Sequence, residues 1–187
     1  MKKLCMILSL ALILYFMVGC QDKEAMAELE EMKAQAEIEE QNKALVKRWF
    51  EEVDKGDIES IFALVDQIFP DDYISHGADY EMHGPKDLKE HITSSQNSFS
   101  DMQHIIGNNF AEENMVATQC TFRATHKGEY MGIPPTGKQI TFPVLYIHRI
   151  EDGKIKEAWI DYDSLLSLAM QLGMELKPKK ANIELQK

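Results

Sequence analysis

The sequence lacks the residue patterns that mark several common kinds of site. It contains no Cys-x-x-Cys or His-x-His pair, no glycine-rich phosphate loop, no nucleophile elbow and no dinucleotide-binding fingerprint. Its six histidines are scattered along the chain, and strand residues alone rarely complete a metal site. We therefore expect neither a metal ion nor a cofactor.

Positive charge and paired cysteines are also scarce. The formal net charge is −11, and basic residues form no cluster beyond Lys2-Lys3 and the C-terminal tail, so nucleic acid is not an expected partner. Cys5, Cys20 and Cys120 form no obvious pair, which predicts no structural disulfide. Cys120 lies in a predicted strand and is expected to be a small buried apolar residue.

The first twenty residues predict a targeting segment. Lys2-Lys3 are followed by an apolar run over 4–18, which is short for a membrane span and suited to a signal peptide. The run ends in Met17-Val18-Gly19-Cys20, which resembles the lipobox of bacterial lipoproteins. That resemblance implies a signal peptide over 1–19, lipidation of Cys20 and attachment to a membrane on the extracytoplasmic side of the bacterial cell envelope. An ordinary secretory leader or an uncut anchor remains the alternative.

Residues 20–40 predict a charged helical tether. Glu, Ala, Lys, Met and Gln dominate this segment, and it contains no Gly or Pro. Its apolar residues are too sparse for core packing or a sustained coiled-coil repeat, which favours a solvated stalk. We expect the globular domain to span 41–176 and to be followed by a flexible tail over 177–187.

Within that domain, helical patterns come first and strand patterns follow. The order predicts an α+β fold in which helices cover one face of a curved antiparallel sheet. The expected helices cover 44–55, 58–67, 86–98 and 163–173, and the expected longer strands cover 102–106, 115–126, 140–150 and the segment that ends at 163.

The last hairpin is the expected centre of a site. An Asp152-Gly153 turn would pair His148 with Glu157 and Tyr146 with Trp159. Side-chain alternation would then place seven residues on one face, namely Val144, Tyr146, His148, Glu157, Trp159, Asp161 and Asp163. Three carboxylates, an imidazole and two large aromatic rings are unusual for a plain core and suit the wall of a pocket.

Several strings in the domain resemble the SnoaL-like polyketide cyclase or predicted ester cyclase group of the nuclear-transport-factor-2-like superfamily. These strings are Trp49–Asp57, Asp72–Gly77, His83–Pro85, Thr125–Gly137, Arg149–Ile155, Glu157–Asp163 and Gln171–Gly173. The resemblance covers roughly 41–174. It implies a cone-shaped α+β barrel with a pocket at its open end and frequent homodimers through the outer face of the sheet. In characterised cyclases of the group, a pocket carboxylate acts as acid and base in a cofactor-free intramolecular aldol ring closure.

The resemblance also implies roles for individual residues. By position, the catalytic carboxylate is Asp163, with Asp161 second, and His76 matches a histidine after the first short strand. Burial beside aromatic rings and a neighbouring like charge would allow such a carboxylate to shuttle protons. Asp163 could instead cap the final helix, and His76 could be a turn residue bonded to the backbone. Ser75 departs from the group, which usually has Asp at that position.

Six further side chains are the expected substrate-binding residues: Trp159, Tyr146, His148, Glu157, Arg123 and His126. For the two aromatic residues, Tyr146 and Trp159, the alternative is ordinary core packing. Arg123 could hold an anionic or carbonyl group, although an exposed strand face would also contain an arginine.

Together these features predict a membrane-anchored cyclase-type domain that binds a small apolar or cyclic molecule and carries out cofactor-free acid/base chemistry. The alternative is a non-catalytic lipoprotein of the same fold that binds a small ligand or another protein, because one fold hosts many functions. An inward and unpaired Asp161 or Asp163 would favour the enzyme. Exposed, capped or paired carboxylates would favour the binding module.

Overall fold

The computed structural model describes residues 2–77, 80–161 and 165–173, with side chains described from residue 23 onward except at 165–167. Its elements in chain order are α1 (Lys2–Lys55), α2 (Ile58–Ile68), β1 (Ile74–His76), β2 (Glu81–His83), α3 (Gly84–Ser98), β3 (Phe99–Glu112), β4 (Met115–His126), β5 (Gln139–Glu151), β6 (Lys154–Asp161) and α4 (Leu165–Leu172).

In the described part of the chain, the strands form one six-stranded sheet in the order β2-β1-β6-β5-β4-β3. Neighbouring strands are antiparallel except β1 and β6, which pair in parallel. The helices pack on one face of this curved sheet, so the predicted α+β architecture is confirmed. The core lies between them and includes the fully buried Val46 of α1, Ile61 of α2 and Ile140 of β5. Each buried aliphatic side chain of this size contributes about 1.5–3 kcal/mol to folding.

Helix α1 is longer than the two separate segments expected from the sequence. It continues without a break from the predicted tether into the domain and ends at Gly56, whose φ of +75° favours glycine. The side chains of Met26, Leu29 and Met32 are exposed along this part of the helix. The helix meets the sheet near Glu39, which accepts a hydrogen bond from the backbone N–H of Glu113 at 3.0 Å. No helix in the described part of the chain is both long and apolar enough to cross a membrane.

The turn between β5 and β6 forms where the sequence predicts it. Asp152 and Gly153 both have positive φ, at 50° and 69°. Glu151 pairs with Lys154, as a two-residue turn requires.

Beyond this turn, the predicted register of the hairpin is wrong. A β-bulge shifts the pairing between Arg149 and Ile150, so that Lys156 becomes an extra residue in β6. As a result His148 pairs with Ala158 rather than with Glu157. Tyr146 pairs with Ile160 rather than with Trp159.

The bulge reverses the face on which the rest of β6 presents its side chains, because a one-residue slip changes the side of every following residue. Ala158 and Ile160 face the interior beside Tyr146 and His148. Glu157, Trp159 and Asp161 lie on the outer face, so the expected single face of acids and rings is wrong. The sequence contains a signal of the bulge. The inward-facing Ile155 and Ala158 are three residues apart, with Lys156-Glu157 between them, whereas residues on one face of a regular strand are an even number apart.

Candidate functional site

A cavity of about 420 Å³ lies between the helices and the inner face of the sheet. Residues from α1, α3, α4 and the strands β2 to β6 line it, and most of its wall is apolar. The aromatic members are Trp49, Phe50, Tyr73, Tyr80, Phe99, Phe122, Tyr130, Phe142 and Tyr146. Such a cavity suits a small molecule with apolar rings, because ligand pockets are commonly apolar concavities with few polar groups.

The ring of Phe50 connects the polar side chains of one wall. Its centroid lies 4.9 Å from those of His104 and Tyr146, and 5.9 Å from that of His148. Phe50 lies on α1, whereas the other three rings come from β3 and β5. The packing of the helix on the sheet therefore brings two imidazoles and a phenol together at the cavity.

His148 and Tyr146 line the cavity as the sequence predicts, and both are buried. Burial lowers the pKa of His148 to about 4, so its ring is neutral at physiological pH. Burial also raises the pKa of Tyr146 well above its usual value. The two rings are stacked with centroids 6.0 Å apart. This wall therefore offers uncharged hydrogen-bonding groups, which suit a carbonyl oxygen better than an anion.

A third polar group on this wall, His104, was missed at the level of sequence. Its Nδ1 lies 2.6 Å from Oδ1 of Asp54, and its backbone N–H donates to Oδ2 of the same carboxylate at 2.8 Å. Asp54 is on α1, 50 residues before its partner, so no local pattern reveals the pair. Two spacings nevertheless pointed to it: Asp54 lies four residues after Phe50 on one helix, and His104 lies two residues after the buried Met102, on the same face of its strand.

His126 is buried but does not line the cavity, so its expected place in the pocket wall is wrong. Its Nδ1 accepts a hydrogen bond from the backbone N–H of Thr136 at 3.3 Å and lies 3.0 Å from the hydroxyl of the same residue. Its backbone N–H donates to the carbonyl of Lys138 at 2.9 Å. His126 therefore holds the ends of the loop that spans 127–138 together.

That loop contributes to the cavity through its tip. Tyr130 and Ile133 exchange two backbone hydrogen bonds of 3.0 and 2.9 Å across a turn, in which Met131 and Gly132 have positive φ. Tyr130 and Met131 line the cavity. At the loop's start, Gly128 packs against the end of α3, where a Cβ would lie 2.2 Å from the carbonyl oxygen of Asn97. The glycine is needed for this close approach.

His76 lies on the outer face of the sheet, and its expected place inside the pocket is wrong. Its Nε2 is 2.7 Å from Oε1 of Glu157, and its ring stacks on Trp159 with centroids 5.4 Å apart. Arg149 donates to the other oxygen of Glu157 at 2.7 and 2.9 Å. The hydrogen bond from His76, followed by that from Arg149, lowers the pKa of the Glu157 carboxyl. The contacts of His76, Glu157 and Arg149 hold β1 beside β6 and β5. Glu157 and Trp159 lie on the outer face with His76, and therefore do not line the cavity.

Of the three remaining predicted residues, two lie on the outer face of the sheet and one lies outside the described residues. Arg123 alternates with Phe122 and the buried Ala124, and therefore lies on the outer face rather than in the pocket wall. Asp161 is exposed on the outer face, so its expected inward orientation is wrong. Asp163, the first choice for the catalytic carboxylate, lies outside the described residues, and its role stays a prediction.

Comparison with known proteins relates the chain to one family of enzymes. A family described as SnoaL-like polyketide cyclase matches residues 44–172. The aklanonic acid methyl ester cyclase DnrD of Streptomyces peucetius is 27% identical over 135 residues, which are 69% of this chain and 88% of the relative.

Solved structures show the same fold. AclR from Streptomyces galilaeus, a proposed hydroxylase, is 27% identical and superposes with a TM-score of 0.63 over 72% of this chain and 97% of its own. A nuclear-transport-factor-2-like protein from Burkholderia pseudomallei, at 14% identity and a TM-score of 0.58 over 72% of this chain and 98% of its own, shares the fold.

Proposed function

The chain belongs to the SnoaL-like polyketide cyclase family, and we propose that it closes a ring in a small, largely apolar substrate by cofactor-free acid/base chemistry. The observation that carries this proposal is the 420 Å³ cavity, with aromatic walls and the neutral His148 beside Tyr146. Its size lies within the range of about 300–1,000 Å³ that is common for small-molecule sites.

The cavity wall would bind and polarise a carbonyl group. Tyr146 has a raised pKa, so its hydroxyl keeps its proton and can donate a hydrogen bond to a carbonyl oxygen. When a neighbouring carbon loses a proton, negative charge develops on that oxygen, and a donor already in position stabilises it. His148 lies on the same strand two residues later. It can offer a second hydrogen bond without introducing a charge.

The acid/base carboxylate of this proposal is Asp163. Its position in the chain supports the assignment, because the connection that contains it joins β6 to α4, and Ile160 and Leu168 of these two elements both line the cavity. A role as the cap of α4 is the competing account. Replacing Asp163 by Asn separates the two, because Asn also caps helices well but cannot exchange a proton at this position.

The test uses aklanonic acid methyl ester, the compound in the name of the related cyclase. Purified protein is incubated with the ester, and ring closure is followed by liquid chromatography with mass detection, since the cyclised product is an isomer with a new retention time. We expect turnover by the wild type, a loss of about 100-fold in Asp163→Asn and a loss of about tenfold in Tyr146→Phe. His83→Gln is the matched control on the exposed surface and should retain full activity.

The competing function is a binding module without catalysis. One observation favours it: the described acids of the last hairpin avoid the cavity, because Glu157 is paired with Arg149 and His76, and Asp161 is exposed. This function predicts that the ester binds, as detected by quenching of Trp49 fluorescence at the cavity wall, and is recovered unchanged. Ring closure at the rate expected for an enzyme would exclude it.

We also propose that the domain is held at the extracytoplasmic face of a bacterial membrane by a lipid on Cys20. The lipobox-like residues support cleavage before Cys20, and the exposed side chains of Met26, Leu29 and Met32 fit a stalk. As a helix, the 20 residues from Cys20 to Glu39 would hold the domain roughly 30 Å from the membrane. Cys20→Ala should release the protein from the membrane fraction and abolish incorporation of labelled palmitate. Unchanged membrane association would contradict the proposal.

A homodimer through the outer face of the sheet is the proposed oligomeric state. Ile105 on β3 and Leu145 on β5 are 44% and 42% exposed on this face, and Phe110 at the far end of β3 is 66% exposed. Sedimentation velocity should show a dimer for the wild type and a monomer for Leu145→Lys. Identical sedimentation of the two proteins would contradict this arrangement.

A further inference from the structure

The carboxylate of Asp54 binds His104 at two points. Oδ2 can only accept from the backbone N–H of His104, at 2.8 Å, and Oδ1 lies 2.6 Å from Nδ1 of its ring. Because a carboxylate oxygen accepts hydrogen bonds, this geometry places a proton on Nδ1. In the neutral ring, Nε2 then carries the lone pair.

Neighbouring rings hold the imidazole in one orientation. Its ring stacks on Phe50 with centroids 4.9 Å apart and contacts Phe122 and Tyr146 at 5.1 and 5.9 Å. The side chain is 9% exposed, yet the residue forms part of the cavity wall. Nε2 has no hydrogen-bond partner among the described residues. It is therefore the ring nitrogen available to a molecule in the cavity.

The other buried histidines are less suited to accept a proton from such a molecule. The pKa of His148 is about 4, so a proton gained there is held weakly at neutral pH. His126 is engaged with Thr136 away from the cavity. Of the described histidines that line the cavity, His104 is the one with a carboxylate bonded to its far nitrogen, an arrangement that fixes the tautomer and the orientation of the ring.

We propose that Nε2 of His104 is the base that removes the carbon-bound proton during ring closure, and that Asp54 is its positioning residue. This proposal rests on the proposed function. An imidazole can take a proton only from an activated carbon, so the substrate class is one with a C–H group between two carbonyl groups or between a carbonyl group and an electron-poor aromatic ring.

The proton balance of the step is complete without a further reactant. The C–H bond breaks and an Nε2–H bond forms, which leaves an enolate and an imidazolium beside Asp54. The enolate carbon attacks a second carbonyl carbon, so that a C–C bond forms and that carbonyl becomes an alkoxide. The alkoxide oxygen then takes a proton from Asp163, which acts as the acid of this step and is reprotonated from Nε2. The product is an isomer of the substrate.

The test uses the full-length protein with aklanonic acid methyl ester as the probe, and measures both ring closure and exchange of the activated proton for deuterium in D₂O. His104→Gln keeps a polar side chain of similar size but has no basic nitrogen, and we expect kcat and the exchange rate to fall by about 100-fold or more while the Kd for the ester stays within about threefold. Asp54→Asn should lose about tenfold in kcat. His83→Gln should behave as the wild type.

A second measurement has an arm on the wild type alone, which does not depend on the folding of a variant. In protein labelled with ¹⁵N-histidine, the His104 ring should show a protonated Nδ1 and an unprotonated Nε2, and this signature should be lost or mixed in Asp54→Asn. An Nε2–H tautomer in the wild type would overturn the proposal.

The outcomes of these experiments separate the two proposals. Full ring closure by His104→Gln overturns the role of His104 and leaves the cyclase function standing. Deuterium exchange by the wild type that is lost in His104→Gln, without ring closure, supports the base and refutes the cyclase. A wild type that binds the ester without exchanging its proton overturns the role of His104.

Discussion

Replacing His148 by Gln should make the protein less sensitive to acid. His148 is 3% exposed, and burial lowers its pKa from 6.5 to about 4. The folded protein keeps this ring neutral, whereas the unfolded chain takes up a proton once the pH falls below 6.5. Stability is therefore fully present above about pH 6.5 and is lost as the pH falls towards 4.

The size of the effect follows from the shift in pKa. A difference of roughly 2.5 units between the unfolded and folded states corresponds to about 3 kcal/mol of unfolding free energy over the whole window. For a domain of ordinary stability this is a large fraction of the total. A buried amide replaces the ring in the variant and changes its stability at pH 7, so the informative quantity is the change in unfolding free energy between pH 7 and pH 4.

Urea unfolding followed by circular dichroism at pH 7, 6, 5 and 4 measures this change. The wild type should lose about 3 kcal/mol more than His148→Gln between the two ends of the series. His83→Gln, a substitution of an exposed histidine, should follow the wild type. Parallel curves for the wild type and His148→Gln would refute the reasoning, because they would mean that the His148 ring titrates alike in the folded and unfolded states.

Three further predictions concern the packing that forms the cavity. Deleting Lys156 removes the extra residue and leaves Glu157 opposite Arg149 and Ala158 opposite His148, so cooperative thermal unfolding should survive; loss of the transition would contradict the bulge, because in a regular ladder the same deletion would turn Glu157 towards the core. Phe50→Ala removes the ring that contacts three cavity side chains and should cost about 3–5 kcal/mol in urea unfolding, whereas a cost below about 1 kcal/mol would show that these rings are not packed. Cys120 is buried, and burial raises its pKa to about 12, so at pH 8 the peptide that contains it should resist alkylation until urea is added. Rapid labelling of that peptide in native protein, detected by mass spectrometry, would contradict this burial.

The structure also changes the account of the last hairpin. Its outer face carries the group in which Glu157 receives hydrogen bonds from His76 and Arg149, and the side chains of this group are partly exposed. Such pairs add little to stability in water. Their effect is geometric, because they hold β1 beside β6 and so support the cavity wall from outside.

Local patterns along the chain were sufficient for the fold class and most of the elements. The helix end at Gly56 and the Asp152-Gly153 turn follow from the backbone angles that these residues favour. The inward positions of β4 and of Tyr146 and His148 follow from strict alternation, because a strand without a bulge has a period of two. These features depend on neighbours within a few residues, so the order of residues determines them.

Tertiary structure decided which groups meet in the cavity. The bulge at Lys156 moved Glu157, Trp159 and Asp161 to the outer face, and alternation alone cannot place an extra residue that the pairing with β5 leaves without a partner. Asp54 and His104 meet only because α1 packs across β3. Contacts between distant segments depend on how helices and sheet bury their apolar faces together, and no spacing within the sequence records that geometry.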